Sequence, residues 1–373
     1  MVSSLQPYSN YSRYLAQALV KNKVDLTVLA EKDEKNKNIK DCGKVILTWD
    51  KSPKFIWQII KQINKTKPDL VHLQHEINMY GSFISIPLFL LIPLYLKIKR
   101  IKTVTTIHAV VSKKIIKEDF SSMFTKKIKF PIWFQKLAYI IIYKSLGIFS
   151  DEIIVHTNLL KNILVTEYKV KNSKIKVVPH GVPDLKENKR KDDYFFYFGY
   201  IAKRKGLGDV LKGYSKYYEK NKATAKNLIL GGGFIKGQEY AKEEIEDIIA
   251  KLNLAEKVKL TGFLNEGQMD KYFSEAYCVI IPAKISISAS GPLAQAFSYG
   301  KCVLASNLGN YPEEIKNNMD GILVNKNGWA KAFEVTPEKV GSIEKNAVEK
   351  AGDRNWNRIG MRHKKIYESV LNA

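Results

Sequence analysis

SISASGPLAQAFSYGKCVLAS, residues 286–306, is the stretch on which the fold assignment turns. A loop of small residues feeds a helical segment that starts near Pro292, and the apolar strand Cys302–Ser306 follows. Proline suits the first turn of a helix, where its missing N–H costs nothing. Free backbone N–H groups and the positive end of the helix dipole at that point suit a phosphate. Small residues such as Ser290 and Gly291 let such a ligand come close. Leu293 follows in the same first turn, and Gln295, one turn in, is placed where it could hydrogen-bond a ribose hydroxyl. A loop-to-helix junction without a ligand explains this segment equally well when it is taken alone.

Working outward, the same strand-then-helix alternation extends in both directions. Upstream lie the strands Tyr194–Phe198, Asn227–Leu230, Val258–Thr261 and Cys278–Ile281, separated by the helical stretches Gly206–Asn221, Tyr240–Leu252 and Glu266–Ser274. Gly321–Val324 is a further short strand. Before a charged break, DLKENKRKDD at Asp184–Asp193, the pattern runs through Ser9–Asn22 (helix), Val24–Ala30 (strand), Phe55–Asn64 (helix), Leu70–Gln74, Thr103–Ile107 and Glu152–His156 (strands). Asn158–Tyr168 follows as a helix with Thr157 as its N-cap, then the strand Lys174–Val178. Strands alternating with helices imply an α/β chain with two doubly wound parallel sheets, and the charged break reads as a linker between two domains. Only Met1–Leu5 precedes the first helix, so either the first strand is abbreviated or the start lies upstream.

Ligands of such sheets sit beyond the carboxyl ends of strands. That rule picks out three further segments. FGYIAKRKG, residues 198–206, puts Gly199 at a strand end and Lys203, Arg204 and Lys205 after it, where cations neutralise a diphosphate leaving group. KIKVVPHGVP, residues 174–183, places His180 near the cleft. DLVHLQHEINMYG, residues 69–81, and TTIHA, residues 105–109, end with His75, Glu76 and His108, types that bind sugars or move protons. No third ligand accompanies these histidines, so a zinc site is not expected.

The chain has 373 residues and a formal net charge of +24. A surface so basic suits anionic lipid, phosphorylated substrates or nucleic acid, although charge alone defines no site. Without zinc spacing, an RNA-binding signature or a basic heptad region, no nucleic-acid partner is expected. Cys42, Cys278 and Cys302 form no motif and fit a reducing, cytoplasmic location. Met1–Asn10 lacks the basic start and apolar core of a signal peptide. Ile84–Leu96 is too short to span a bilayer and is interrupted by Pro87 and Pro93. In Phe130–Phe149, lysines interleave with Trp133, Phe134, Tyr139 and Tyr143, which suits either a membrane surface or a core-facing helix.

Taken together, DLVHLQHE, KIKVVPHGVPD, FGYIAKRKGL and the run from VKLTGFL through SGPLAQAFSYGKCVLASN to DGILV resemble the family 4 retaining glycosyltransferases of group 1, whose architecture is GT-B. The resemblance implies two Rossmann-like domains facing a central cleft: an acceptor-binding domain over 1–184, a nucleotide-sugar domain over 194–350, and a helix at 351–373 crossing back. It implies transfer of a hexose from a UDP- or GDP-sugar to a glycan or lipid-linked acceptor, with no cofactor or metal ion beyond the sugar nucleotide. Peripheral association with the cytoplasmic face of a membrane goes with that. Residue by residue, Lys205 matches the lysine that meets the donor diphosphate, and His108 the histidine near the reacting face of the sugar. Ser290, Gly291, Pro292 and Leu293 match the loop over the phosphates. Tyr200 stands where the family has an arginine, with Lys203 or Arg204 as substitutes. Ile287 and Gln295 stand where it has two glutamates. These departures motivate an alternative: a catalytically weak binding subunit that partners another transferase. A sugar-nucleotide epimerase of similar architecture fits less well, given SASGPLAQA and DGILV.

Overall fold

Strands that are apolar on both faces require helices on both sides, and the chain builds two such sheets. The structure, a computed structural model, describes residues 1–3, 10–33, 40–76, 79–81, 85–118, 120, 130–191, 193–234 and 240–373. In chain order the first half comprises β1 (Val2–Ser3), α1 (Asn10–Lys21), β2 (Thr27–Glu31), β3 (Lys44–Trp49), α2 (Phe55–Thr66), β4 (Leu70–His75), α3 (Ser85–Phe89), α4 (Leu91–Ile98), β5 (Lys102–Ile107), α5 (Ile132–Phe149), β6 (Glu152–Val155), α6 (Asn158–Thr166) and β7 (Ile175–Val177). The second comprises β8 (Tyr194–Phe198), α7 (Leu207–Lys220), β9 (Asn227–Gly231), α8 (Tyr240–Lys251), β10 (Val258–Gly262), α9 (Glu266–Glu275), β11 (Cys278–Ile281), α10 (Gly291–Ser298), β12 (Val303–Ser306), α11 (Tyr311–Glu314), β13 (Ile322–Val324), α12 (Trp329–Ala332) and α13 (Pro337–Asp353). α14 (Trp356–Leu371) ends the chain.

Strand order is β3-β2-β1-β4-β5-β6-β7 in the first sheet and β10-β9-β8-β11-β12-β13 in the second. All of these pairings are parallel. The order reverses between β1 and β4 and again between β8 and β11, and each reversal opens a crevice at the strands' carboxyl ends. β8, YFFYF, shows why the sheets need cover on both sides: Tyr194, Phe195, Phe196 and Tyr197 are all buried.

Local chemistry fixes where the helices begin and end. α2 buries Phe55, Ile56, Ile59, Ile60 and Ile63, one face of a helix, and stops at Lys67 in the left-handed region with φ 46° just before Pro68. Thr157 caps α6 by accepting from the N–H of Leu160, as expected from the sequence. Asn265 and Gln268 form a reciprocal capping box on α9. The described part of the apolar stretch, from Ser85 on, forms two helices broken at Leu90. Pro87 and Pro93 each fall in a first turn, where a missing N–H is tolerated. Neither the edge strand β3 nor α13 is anticipated by the sequence reading. The charged segment 183–191 is extended and tied down: Lys186 and Lys189 donate backbone bonds to Ser298 and Ser274, and Arg190 pairs with Glu344 at 2.9 Å.

α14 leaves the second half and packs on α1 of the first. Its buried residues Trp356, Ile359, Gly360, His363, Tyr367 and Val370 recur at helical spacing. Trp356 lies over Gly181, where a Cβ would come within 2.4 Å of the indole. Gly360 crosses α1 at Ala18, and a Cβ there would lie 2.8 Å from the Ala18 Cβ and 3.0 Å from its carbonyl oxygen. Alanine is the better helix former by about 1 kcal/mol, but prising two packed helices apart costs about 1–3 kcal/mol. Gly360→Ala is therefore expected to lower the urea midpoint with an unchanged m-value. A midpoint at or above that of the wild type would show that the crossing is not this tight.

Candidate active site

Side-chain parity on three adjacent strands assembles one wall of a cleft. On β4, Val71, Leu73 and His75 face the core beneath α2 and α4, while His72 and Gln74 face α1 and α14. On β5, Val104 and Thr106 share the second face, and His108 continues it past the strand end. On β6, Ile154 and then His156 do the same. Strand residues two apart share a face, so His72, Gln74, Thr106, His108 and His156 are brought together.

They form a continuous hydrogen-bonded chain. His72 bonds Tyr367 of α14 through Nδ1 at 2.6 Å and Thr106 through Nε2 at 2.8 Å. Gln74 links the two histidines, with its Nε2 3.1 Å from His72 Nε2 and its Oε1 2.8 Å from His108 Nε2. His108 Nδ1 lies 3.1 Å from His156 Nε2, and His156 Nδ1 is 3.0 Å from the carbonyl of Val178. A carbonyl only accepts, so His156 carries its proton on Nδ1 and accepts at Nε2. His108 then donates from Nδ1 and accepts at Nε2, which requires the Gln74 amide to turn so that its nitrogen, rather than the Oε1 that lies 2.8 Å from His108 Nε2, meets that ring. Tyr11, His180 and Trp356 close the chain with ring contacts of 4.6 Å from Tyr11 to His108, 5.2 Å from Tyr11 to His180 and 5.7 Å from His180 to Trp356.

The opposite wall comes from the second half. Gly199 (φ 144°) ends β8, and Gly232 (φ 125°) crosses it so closely that a Cβ on Gly232 would lie 2.1 Å from the Gly199 carbonyl oxygen. A 3-10 turn at Lys203–Lys205 follows, tethered where Lys284 N–H donates to the Arg204 carbonyl at 2.8 Å. Lys205 is largely enclosed, and among the described residues no carboxylate pairs with it. Desolvation and then the neighbouring Arg204 charge lower its pKa to about 7. The Arg204 charge also acts on Tyr197, Tyr311 and, from the first half, Glu76. The Glu76 carboxyl is raised by desolvation and lowered by that guanidinium. Ser290 caps α10 by accepting from the N–H of Leu293 at 3.3 Å, Pro292 sits in the first turn beside Gly199, and the Cα of Gly291 faces open space. Gln295 is half-buried one turn on.

A seam joins the two walls. The N–H of Val110, just past His108, donates to the Ile287 carbonyl at 2.9 Å, and Ala109 bridges Ser288. Ile285 and Ile287 pack on Val111, Ile116 and Phe120. Below them the buried Asn310 accepts from Thr157 at 2.6 Å and donates to the Ser288 carbonyl at 3.1 Å. The Glu313 carboxylate accepts from the N–H groups of Asn158 at 2.6 Å and Leu159 at 3.0 Å, which caps α6 from the other half.

Most of the residues singled out from the sequence thus face one cleft, with two corrections. His75 lies on the opposite face of β4, buried against Phe89 at 5.1 Å with Nδ1 unpartnered, so strand parity removes it from the sugar-facing set. Lys203 points away from the cleft toward Glu243, Glu244 and Asp247 around a shallow surface depression, so it does not replace the missing arginine. His180 forms part of the packed wall, its Nδ1 donating to the Gly181 carbonyl at 2.7 Å. Sequence reasoning pointed to the strand end at Gln74–Glu76 without giving Gln74 a role, and it missed His156, Asn310, Tyr311 and Glu314. The alternation of β4 and β6 marks Gln74 and His156, whereas the others have no local signal. Tyr311 bonds Ser290, and Glu314 is buried near Arg354 at 3.8 Å with its pKa raised to about 7 by desolvation.

The Glycosyltransferase Family 4 model matches residues 9–184, and the Glycosyl transferases group 1 model matches residues 184–348. The chain belongs to the family 4, group 1 glycosyltransferases. An uncharacterized glycosyltransferase of Methanocaldococcus jannaschii is 26% identical over 321 residues, which is 82% of this chain and 70% of that protein. The GT-B fold is shared with HepE of Anabaena, solved in complex with UDP, at a TM-score of 0.74 and 13% identity over 99% of both chains. It is shared too with sucrose-phosphate synthase of Thermosynechococcus elongatus, at a TM-score of 0.77 and 16% identity over 100% of this chain and 96% of that one. In this glycosyltransferase, among the described residues, no cluster of three His, Cys, Asp or Glu side chains is arranged to hold a metal ion, and no helix is long and apolar enough to cross a membrane.

The neutral histidines set an acid limit on the fold. Burial lowers His75, His180 and His363 to about 4 and His156 to about 3, and pushes His72 and His108 well below their ordinary value. The unfolded chain therefore binds more protons than the native one below about pH 6.5, and stability falls as the pH drops through that value. Each histidine contributes up to about 1.4 kcal/mol per pH unit. Thermal midpoints are expected to decline steeply between pH 6.5 and pH 5. A flat profile there would show that these rings are not held neutral.

Proposed function

We propose that this glycosyltransferase moves a hexose from a UDP- or GDP-sugar to a glycan or lipid-linked acceptor, retaining the anomeric configuration and using no resident metal or organic cofactor. The observation that carries this reading is the convergence of Arg204, Lys205 and the open start of α10 on one cleft opposite His108. Two cations beside a helix N-terminus suit a diphosphate on which negative charge grows as the anomeric bond breaks. HepE was solved with UDP-glucose, which supports a uridine nucleotide as donor.

In this reading the second half, residues 194–350, holds the nucleotide. Gly199, Ser290, Gly291, Pro292 and Leu293 border the diphosphate, and Gln295 meets the ribose. The first half, residues 1–184, receives the acceptor beside Glu76 and His180, and residues 351–373 tie it back. His108 orients the sugar hydroxyls by exchanging its bond to Gln74 for one to the ligand. The acceptor hydroxyl approaches on the face that the diphosphate leaves, and a phosphate oxygen takes its proton. Closing the halves along the seam excludes water that would hydrolyse the donor. The work is placed in the cytoplasm, at the inner face of a membrane. A weakly catalytic subunit is the second reading, favoured by Ile287 being packed into the seam where a carboxylate would otherwise reach the sugar.

Thermal unfolding with a panel of UDP- and GDP-sugars tests the donor assignment, since a ligand of the native state raises the midpoint. One nucleotide series is expected to protect the wild type, less well as the pH rises above about 7, where Lys205 loses its proton. Lys205→Met is expected to bind at least about tenfold more weakly while the free protein becomes more stable at pH 6, because an enclosed, unpaired charge has been removed. Absence of protection and of turnover with every nucleotide sugar would contradict the assignment. Protection without turnover until another transferase is added would favour the second reading.

A further inference from the structure

The helices that cover the outer face of the first sheet carry an apolar stripe that none of the other described residues covers. On α5, Trp133, Leu137, Ile141 and Ile148 are 66, 44, 49 and 61% exposed. At about 100° per residue these positions fall within roughly a quarter-turn of one another, on the side away from the buried Ile142, Tyr143 and Leu146. Lys144, also exposed, falls in the same stripe. The patch continues sideways, because α4 packs against both α5 and α2. There Ile98 is 69% exposed on α4, and Trp57 is 73% exposed on α2.

The three helices are basic. α2, α4 and α5 contain no Asp or Glu, whereas exposed Lys61, Lys65 and Lys144 rise from them, and Lys97 of α4 is paired with Asp151 at 3.7 Å. Exposed tryptophan and aliphatic side chains rimmed by lysine match an interface of headgroups over acyl chains. A second copy of the same face would bring lysines against lysines, and helices without a carboxylate of their own match an anionic bilayer better than they match themselves. Position relative to the cleft agrees. Ile132 and Tyr139, in the first half of α5, join the cluster that receives Ile285 and Ile287 at the seam, so the stripe begins beside the cleft mouth.

We propose that the outer faces of α2, α4 and α5 dock this glycosyltransferase on an anionic lipid bilayer, with α5 lying in the headgroup layer and its Trp133 end beside the cleft. This deepens the reading of a lipid-linked acceptor and rests on it for its purpose, though not for its test. α5 does not span the bilayer, because its inner side belongs to the core of the sheet.

Sedimentation of the full chain with vesicles of phosphatidylcholine alone, or with phosphatidylglycerol added, tests the proposal. Binding is expected only to the anionic vesicles and is expected to weaken with salt. Lys144→Glu should weaken it at least about fivefold, and Trp133→Glu with Ile141→Glu at least about tenfold. Both variants should keep the wild-type unfolding midpoint and nucleotide-sugar protection, since the altered side chains face solvent. Failure to bind anionic vesicles, or binding unaffected by the substitutions, would overturn the proposal. So would a soluble dimer, dissolved by the same substitutions, in a chain that ignores vesicles. Vesicle binding in a chain that no nucleotide sugar protects would leave the docking surface standing and remove the donor assignment.

Discussion

The structure depends on a backbone seam between residues far apart in sequence: Val110 donating to Ile287, with Ala109 beside Ser288. Each sheet presents its strand ends at its own crevice, and neither crevice alone holds cations, an open helix start and a histidine together. The seam places the segment after β5 against the loop before α10, so His108 stands next to the residues paired with Ile287 and Ser288. Asn310 and Glu313 repeat the connection one layer down, and α14 repeats it behind, through Tyr367 bonded to His72. Ile287 contributes through its carbonyl and its apolar side chain, and a carboxylate at that position would have to leave the cluster formed with Ile116 and Phe120.

Function is bought with local instability in this arrangement. Lys205 is largely enclosed, with no carboxylate beside it among the described residues, and desolvation lowers its pKa to about 7 because the free protein solvates that ammonium poorly. Glu314 is likewise buried with one oxygen unpartnered. An anion entering the cleft would relieve the first, which is the usual relation between a preorganised site and the stability of its empty form. The histidine chain behaves differently. Its members bond one another as neutral rings, so it stiffens the wall at neutral pH and yields only in acid.

Much of the fold was legible because strand and helix periods differ. Tyr194–Phe198 and Cys278–Ile281 emerge with the bounds read from the sequence, and Thr157 caps α6 as its side-chain chemistry suggests. β3 was hidden because KVILTW lies at a sheet edge with Lys44 exposed, so its apolar signal is diluted. Within the site, Arg204, Lys205 and Ser290–Leu293 were legible as a strand end and a helix start. His75 was misplaced because proximity to a strand end outweighed parity: one residue moves a side chain to the other face. His156 was overlooked for the same reason. The pairings of Glu313 with α6 and of Ile287 with Phe120 join elements on separate sheets, and no local pattern encodes them.

The most direct measurement is a crystal structure of the protein with UDP. The diphosphate should lie between the Lys205 ammonium and the backbone at Gly291, within hydrogen-bonding reach of both, with the Arg204 guanidinium beside it and His108 across the cleft. UDP seated elsewhere, or a diphosphate that contacts neither Lys205 nor the start of α10, would contradict the account.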